Sequence, residues 1–219
     1  MTKSPAANWP VAPNATTDSL SRATSFLRAI GIPCEEAPGT RGFLEGVRVR
    51  DGGLLYDPAC LVSNLLHEAG HVATVPVAWR HLLSDDVAVG HRAMFADLER
   101  MELLDPDGPL VRAALQCSDP EATAWAWAAG KHLGIPEDEI ILDSEYGNDG
   151  AGIRLALSLR SYPGINGLAH AGFCAVRDGV APLPVFPALA HWTQPAEVPD
   201  ECLDALREEA DGPREWVCA

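Results

Sequence analysis

Basic residues are scarce in this chain: 16 Lys and Arg stand against 31 Asp and Glu, for a formal net charge of −15. A nucleic-acid footprint needs a basic face, and docking on anionic lipid needs basic clusters, so neither partner is expected. Long apolar runs are also lacking. No stretch approaches the ~18 apolar residues of a membrane span, and Pro76 and several charges break up the run after His71. The stretch from Met1 to Pro10 has one Lys with no apolar run behind it, so no signal peptide is expected. The six cysteines (Cys34, Cys60, Cys117, Cys174, Cys202 and Cys218) contain no C-x-x-C pair. Disulfide frameworks belong to short secreted chains, so these thiols are expected to be reduced and mostly buried, in a soluble cytoplasmic protein. Aromatics are only 6%, but hydrophobic residues reach 47% of 219, enough for the core of one domain with or without an appendage.

The organisation is that of a helix-rich α+β fold. Residues 1–17, rich in Pro, Ala, Asn and Thr, read as an irregular arm, 18–145 as the core, and 146–219 as an extension packed on it. Leu20, Ala23, Leu27 and Ile30 share one face of a helix over 18–30, which Gly31 and Pro33 end. Apolar pieces around Asp51-Gly52-Gly53 predict two or three short antiparallel strands within 41–56. Asp57-Pro58 is expected to start a helix running to Val75. Further helices are expected over 91–104, from Asp119-Pro120 to Leu133, and over 149–161. The Pro- and Gly-rich segment 162–199 reads as irregular, and 201–210 as a last acidic helix.

The chemistry concentrates in His67-Glu68-Ala69-Gly70-His71. On a helix, residues four apart share a face, so both imidazoles can reach one tetrahedral zinc. Glu68 is placed to take a proton from a metal-bound water and to return it to a leaving group. Zinc lowers the pKa of such a water to about 7. This is the H-E-x-x-H pattern of zinc peptidases. A catalytic zinc also wants a third protein ligand. The variant with a third His six residues after the second is excluded, because Val77 stands there. Glu121, His81, His91 and His170 remain. Glu121 is favoured because it lies in the first turn of a capped, otherwise apolar helix, where the dipole suits a carboxylate.

The segments Leu65-Leu66-His67-Glu68-Ala69-Gly70-His71 and Glu121-Ala122-Thr123-Ala124-Trp125-Ala126, with Pro136 after them, resemble the compact zinc peptidases of the ImmA/IrrE type within the gluzincins. The resemblance spans roughly residues 42–136 and implies a zincin-like domain with zinc on His67, His71 and Glu121 and with Glu68 as the base. The 50-residue gap from His71 to Glu121 implies an insertion over about 77–116. Trp125 stands where some gluzincins have an Asp, four residues after the ligand Glu. Residues 145–219 lie outside the resemblance.

A peptidase needs a donor for the oxyanion of its tetrahedral intermediate. Tyr162 and His170, in the same Gly-rich tract as Tyr146, are the candidates. Asp85 or Asp86 could orient a ligand imidazole, although a solvated loop is the simpler expectation for both. Trp125 and Trp127 are expected in the core. The expected activity is zinc-dependent hydrolysis of a peptide or protein bond. The alternatives are a zinc-stabilised domain that binds a partner without hydrolysis, and a metal-dependent hydrolase of a non-peptide amide or ester.

Overall fold

A computed structural model describes residues 15–101, 104–179 and 182–202. Helix α1 (Ala15–Ala29) ends as expected, with Gly31 at φ 85° before Pro33. Its first three residues belong to the segment read as an irregular arm. The rest of that arm, and residues 203–210 of the acidic helix, lie outside the described residues.

Three short strands follow: β1 (Cys34–Glu36), β2 (Val47–Arg50) and β3 (Gly53–Tyr56), in the order β1-β3-β2. Strands β2 and β3 form the Asp-Gly hairpin, with Asp51 at φ 50° and Gly52 at φ 74°, the two positive angles that a tight hairpin turn requires. In β2, Val47 and Val49 are buried while Arg48 and Arg50 face solvent, the alternation of a half-buried strand. The sheet is mixed rather than antiparallel, because β1 pairs parallel with β3. With the sequence Cys-Glu-Glu and two exposed glutamates, β1 carries no apolar alternation.

Helix α2 (Val62–Thr74) carries the H-E-x-x-H motif and starts later than expected. Asp57 does not cap it; its carboxylate accepts from the backbone N–H groups of Ala59 and Gly39 and so shapes the preceding turn. A 3-10 turn (Val77–Leu82) leads to α3 (Val87–Arg100), capped by the Asp86 side chain. Helix α4 (Pro109–Leu115) precedes the central helix α5 (Asp119–His132). Every residue of α5 from Glu121 to Gly130 is buried, as befits a helix wrapped on all sides. Trp125 and Trp127 are part of that core.

Around α5 pack α2, α6 (Glu137–Ile140) and α8 (Pro163–His170), with α7 (Gly150–Ser158) between the last two in sequence. Helix α8 lies in the segment expected to be irregular. Its glycines permit its packing: a Cβ on Gly164 would lie 1.8 Å from the Pro120 carbonyl oxygen. The five cysteines among the described residues are buried and unpaired. No helix among the described residues is long and apolar enough to cross a membrane.

Candidate metal centre

Helix α2 divides its residues by face. Leu65, Leu66, Ala69, Val72 and Ala73 are fully buried in the core. His67 and His71, one turn apart, stack edge to face with ring centroids 5.0 Å apart. They look across at the start of α5, where Gly70 meets the Ala122 backbone without room for a side chain. There Asp119 Oδ1 lies 3.1 Å from His71 Nε2 and 3.6 Å from His67 Nε2. One donor atom from each of the three side chains falls within 4.8 Å of the others. Ligands held about 2.0–2.2 Å from a tetrahedral zinc stand about 3.4 Å apart, so the spacing fits a divalent ion. The donor set, two imidazoles and a carboxylate, fits as well. Hydrogen bonds from His67 and His71 hold the Asp119 carboxyl well below the usual carboxylate range.

Asp119 replaces Glu121 as the carboxylate of the cluster. On a helix, residues two apart point to different sides, and the two acids part company here. Asp119, the first residue of α5, faces the histidines. Glu121, only 6% exposed, turns toward α8, and a Cβ on Gly167 would strike its Oε1. Its Oε2 accepts from the Ser118 backbone N–H at 3.1 Å and from the Ser118 hydroxyl at 2.6 Å, closing a capping box. The Asp119-Pro120 pair, read as a cap, thus supplies the side chain that meets the histidines, while Ser118 caps the helix.

Glu68 is 4% exposed. Burial pushes its carboxyl above the ordinary range, and the fields of His71 and His67 and the Leu44 backbone N–H oppose that. The base candidate therefore stands within the electrostatic reach of the triad. Thr123, one turn after Asp119, is a residue that sequence reasoning passed over. Its Oγ1 lies 3.4 Å from His67 Nδ1 and 2.8 Å from the Tyr146 hydroxyl. Burial raises the Tyr146 phenol to about 12. Tyr146 holds a left-handed backbone at φ 54°, a costly conformation that tends to collect at functional sites. Tyr162 is half-buried; burial raises its phenol, Thr123 lowers it, and Asp119 and Glu121 act on it through space.

His170 is exposed in the last turn of α8, six residues or about 9 Å of helix beyond Gly164, which touches the start of α5. It is therefore a weaker donor candidate than the two tyrosines. His81 is exposed in the 3-10 turn. His91, on α3, comes closer, with its ring centroid 6.4 Å from that of His71. Asp85 is taken by Arg48 at 2.5 Å, and Asp86 by the α3 cap, so neither orients a ligand imidazole. Beside the triad a cavity of about 230 Å³ opens between α2 and α5, reaching from His67 and Asp119 toward Ala126 and Ile140.

No family model, curated protein or solved structure matches this chain.

Proposed function

We propose that this chain is a zinc-dependent metallopeptidase that hydrolyses a bond in a peptide or protein, with the metal on His67, His71 and Asp119. The observation that carries the reading is the placement of Asp119 Oδ1 at 3.1 and 3.6 Å from the two imidazoles of an H-E-x-x-H helix, with the buried Glu68 beside them. The likeness of residues 65–71 to the ImmA/IrrE-type peptidases supports it, with the third ligand supplied two residues before Glu121.

His67, His71 and Asp119 would hold a zinc ion, which would supply Lewis-acid chemistry and make a water acidic near neutral pH. Glu68 accepts the proton of the attacking water as its oxygen bonds the carbonyl carbon. The same carboxyl then hands that proton to the leaving nitrogen as the C–N bond breaks. Tyr146, which lines the cavity with His67 and Asp119, and Tyr162 offer phenolic donors for the developing oxyanion. Thr123 steadies His67 from behind. The acidic composition suits a cytoplasmic protein acting on polypeptide rather than nucleic acid.

The test is zinc content by elemental analysis, followed by peptide-library cleavage by wild type and Glu68→Gln. The reading requires one zinc per chain in both proteins and cleavage only by wild type. Cleavage that persists in Glu68→Gln, or a wild type that takes up no zinc, would refute it.

One observation favours a second reading, a zinc-stabilised domain without hydrolysis. His91 Nε2 and His71 Nδ1 are both buried without a hydrogen-bond partner. A fourth ligand from His91 would close the site. A cobalt-substituted protein whose absorption spectrum changes in His91→Ala would favour that reading.

A further inference from the structure

A second cavity, of about 270 Å³, opens at the C-terminal half of α5. Trp127 and Lys131 of that helix line it, with Leu157 and Arg160 at the end of α7 and the pair Phe186-Pro187. Trp127 stands eight residues, or about 12 Å of helix, beyond Asp119. The cavity shares no lining residue with the one beside the metal cluster. Its volume lies just under the ~300–1,000 Å³ of sites that enclose drug-sized ligands, so it suits a smaller molecule.

The polar groups around it are mostly donors. Trp127 is only 2% exposed, yet its indole N–H has no acceptor among the described residues. That nitrogen is not sealed in the interior, as the orphaned His191 Nε2 is, but keeps contact with solvent. The Arg160 guanidinium has neither an acceptor nor an ion pair among the described residues. Lys131 Nζ, 5.7 Å from the centroid of the Trp127 ring, meets Glu137 at 2.6 Å. Two cations against one carboxylate leave one positive charge unmatched, in a chain whose net charge is −15. Arg160 is also held there at a cost. It follows the C-cap of α7 at φ 56°, with its own N–H on the Leu157 carbonyl and the Ser161 N–H on the Ala156 carbonyl. Glycine is the usual occupant of this left-handed position, because a Cβ is strained in it. Strain of this kind collects at functional sites.

We propose that this cavity binds a small monocarboxylate with an apolar body. The Trp127 N–H and the Arg160 guanidinium take the carboxylate, with Lys131 beside them. The body lies against Leu157, Phe186 and Pro187. A guanidinium and a carboxylate match as planar partners, and a single unmatched charge suits a monoanion. A bare inorganic anion would leave the apolar wall wet. The site stands apart from the metal centre and does not depend on the hydrolase reading.

Calorimetry on the full chain tests this with phenylacetate and hexanoate, set against phenylacetamide, 2-phenylethylammonium and inorganic phosphate. Proton–nitrogen NMR spectra follow the assigned indole resonance of Trp127 during the same titrations. The two carboxylates should bind about tenfold more tightly than the other three probes, and less tightly as salt rises. Phenylacetate should move the Trp127 indole resonance. Arg160→Gly places in the left-handed position the residue that suits it, so the fold is kept. That variant should bind phenylacetate about tenfold more weakly. No binding of either carboxylate, or phenylacetamide or phosphate binding as tightly as phenylacetate, overturns the proposal. Phenylacetate that binds Arg160→Gly undiminished and leaves the Trp127 resonance unmoved sits elsewhere, at the metal cluster for instance, and overturns it too.

Discussion

Replacing Gly70 with Ala tests the geometry on which the proposed metal centre depends. Gly70 lies inside α2 between the ligand histidines, and helix propensity alone would make Ala stabilising there by about 1 kcal/mol. The tertiary structure forbids it. An added Cβ would lie 2.5 Å from the Ala122 carbonyl oxygen and 2.8 Å from its Cα, where ordinary contact starts at 3.4 Å. Both partners are backbone, so no side chain can step aside, and α2 and α5 must part by about 0.9 Å. Overpacking of this kind costs about 1–3 kcal/mol. Set against the propensity gain, the net loss is about 0–2 kcal/mol, or up to about 8 °C in Tm for a chain of this size. The same displacement would take His71 Nε2 from 3.1 to about 4 Å from Asp119 Oδ1, beyond the roughly 3.4 Å at which a tetrahedral zinc holds two ligands without strain. Zinc affinity should then fall about 10- to 100-fold, as it does when the support of a metal ligand is lost. Thermal unfolding of the apoprotein and competition for zinc with a chromophoric chelator read the two effects separately. A Gly70→Ala protein as stable as wild type, with undiminished zinc affinity, would refute the close approach of the helices and the ligand set built on it.

Asp119→Asn should weaken zinc binding at least as much, whereas Glu121→Gln, whose amide oxygen can still close the capping box, should keep the affinity and nearly all of the apoprotein stability; the same chelator competition and denaturant melts decide between the two acids. Tyr146→Phe removes the hydroxyl 2.8 Å from Thr123 Oγ1. It should lower kcat about tenfold or more with zinc content unchanged, checked by steady-state kinetics on metal-quantified protein. Cys117 is buried and its thiol is pushed up to about 12, first by burial and then by Glu121. Its folded pKa lies above the unfolded value of about 8.5, so its contribution to stability is complete below that pH and is lost as pH rises toward 12. Melting curves from pH 8 to 11 should therefore fall less steeply for Cys117→Ala than for wild type.

The sequence by itself determined what depends on neighbours along the chain. The Asp51-Gly52 hairpin, the end of α1 at Gly31, and the placing of His67 and His71 on one helical face all follow from local backbone rules. Helix α5 was legible from its capped start and apolar length. Local signals misled where long-range packing reused the same residues. Asp57-Pro58 looked like a helix start, but its carboxylate serves Gly39, eighteen residues earlier. The glycines that made α8 look like a loop are what let it lie against Pro120 and Glu121. Strand β1 carries no alternation and exists because β3 offers it a parallel edge.

The carboxylate of the candidate metal cluster was the largest change. Both Asp119 and Glu121 sit in the first turn of α5, where the helix dipole favours either. Which one meets the histidines depends on how α5 is rotated against α2, and that rotation is set by Gly70 on one side and Gly164 and Gly167 on the other. The sequence determined the two histidines because their spacing is a property of one helix; only the tertiary structure decided their partner, because the facing of two packed helices is a property of neither alone.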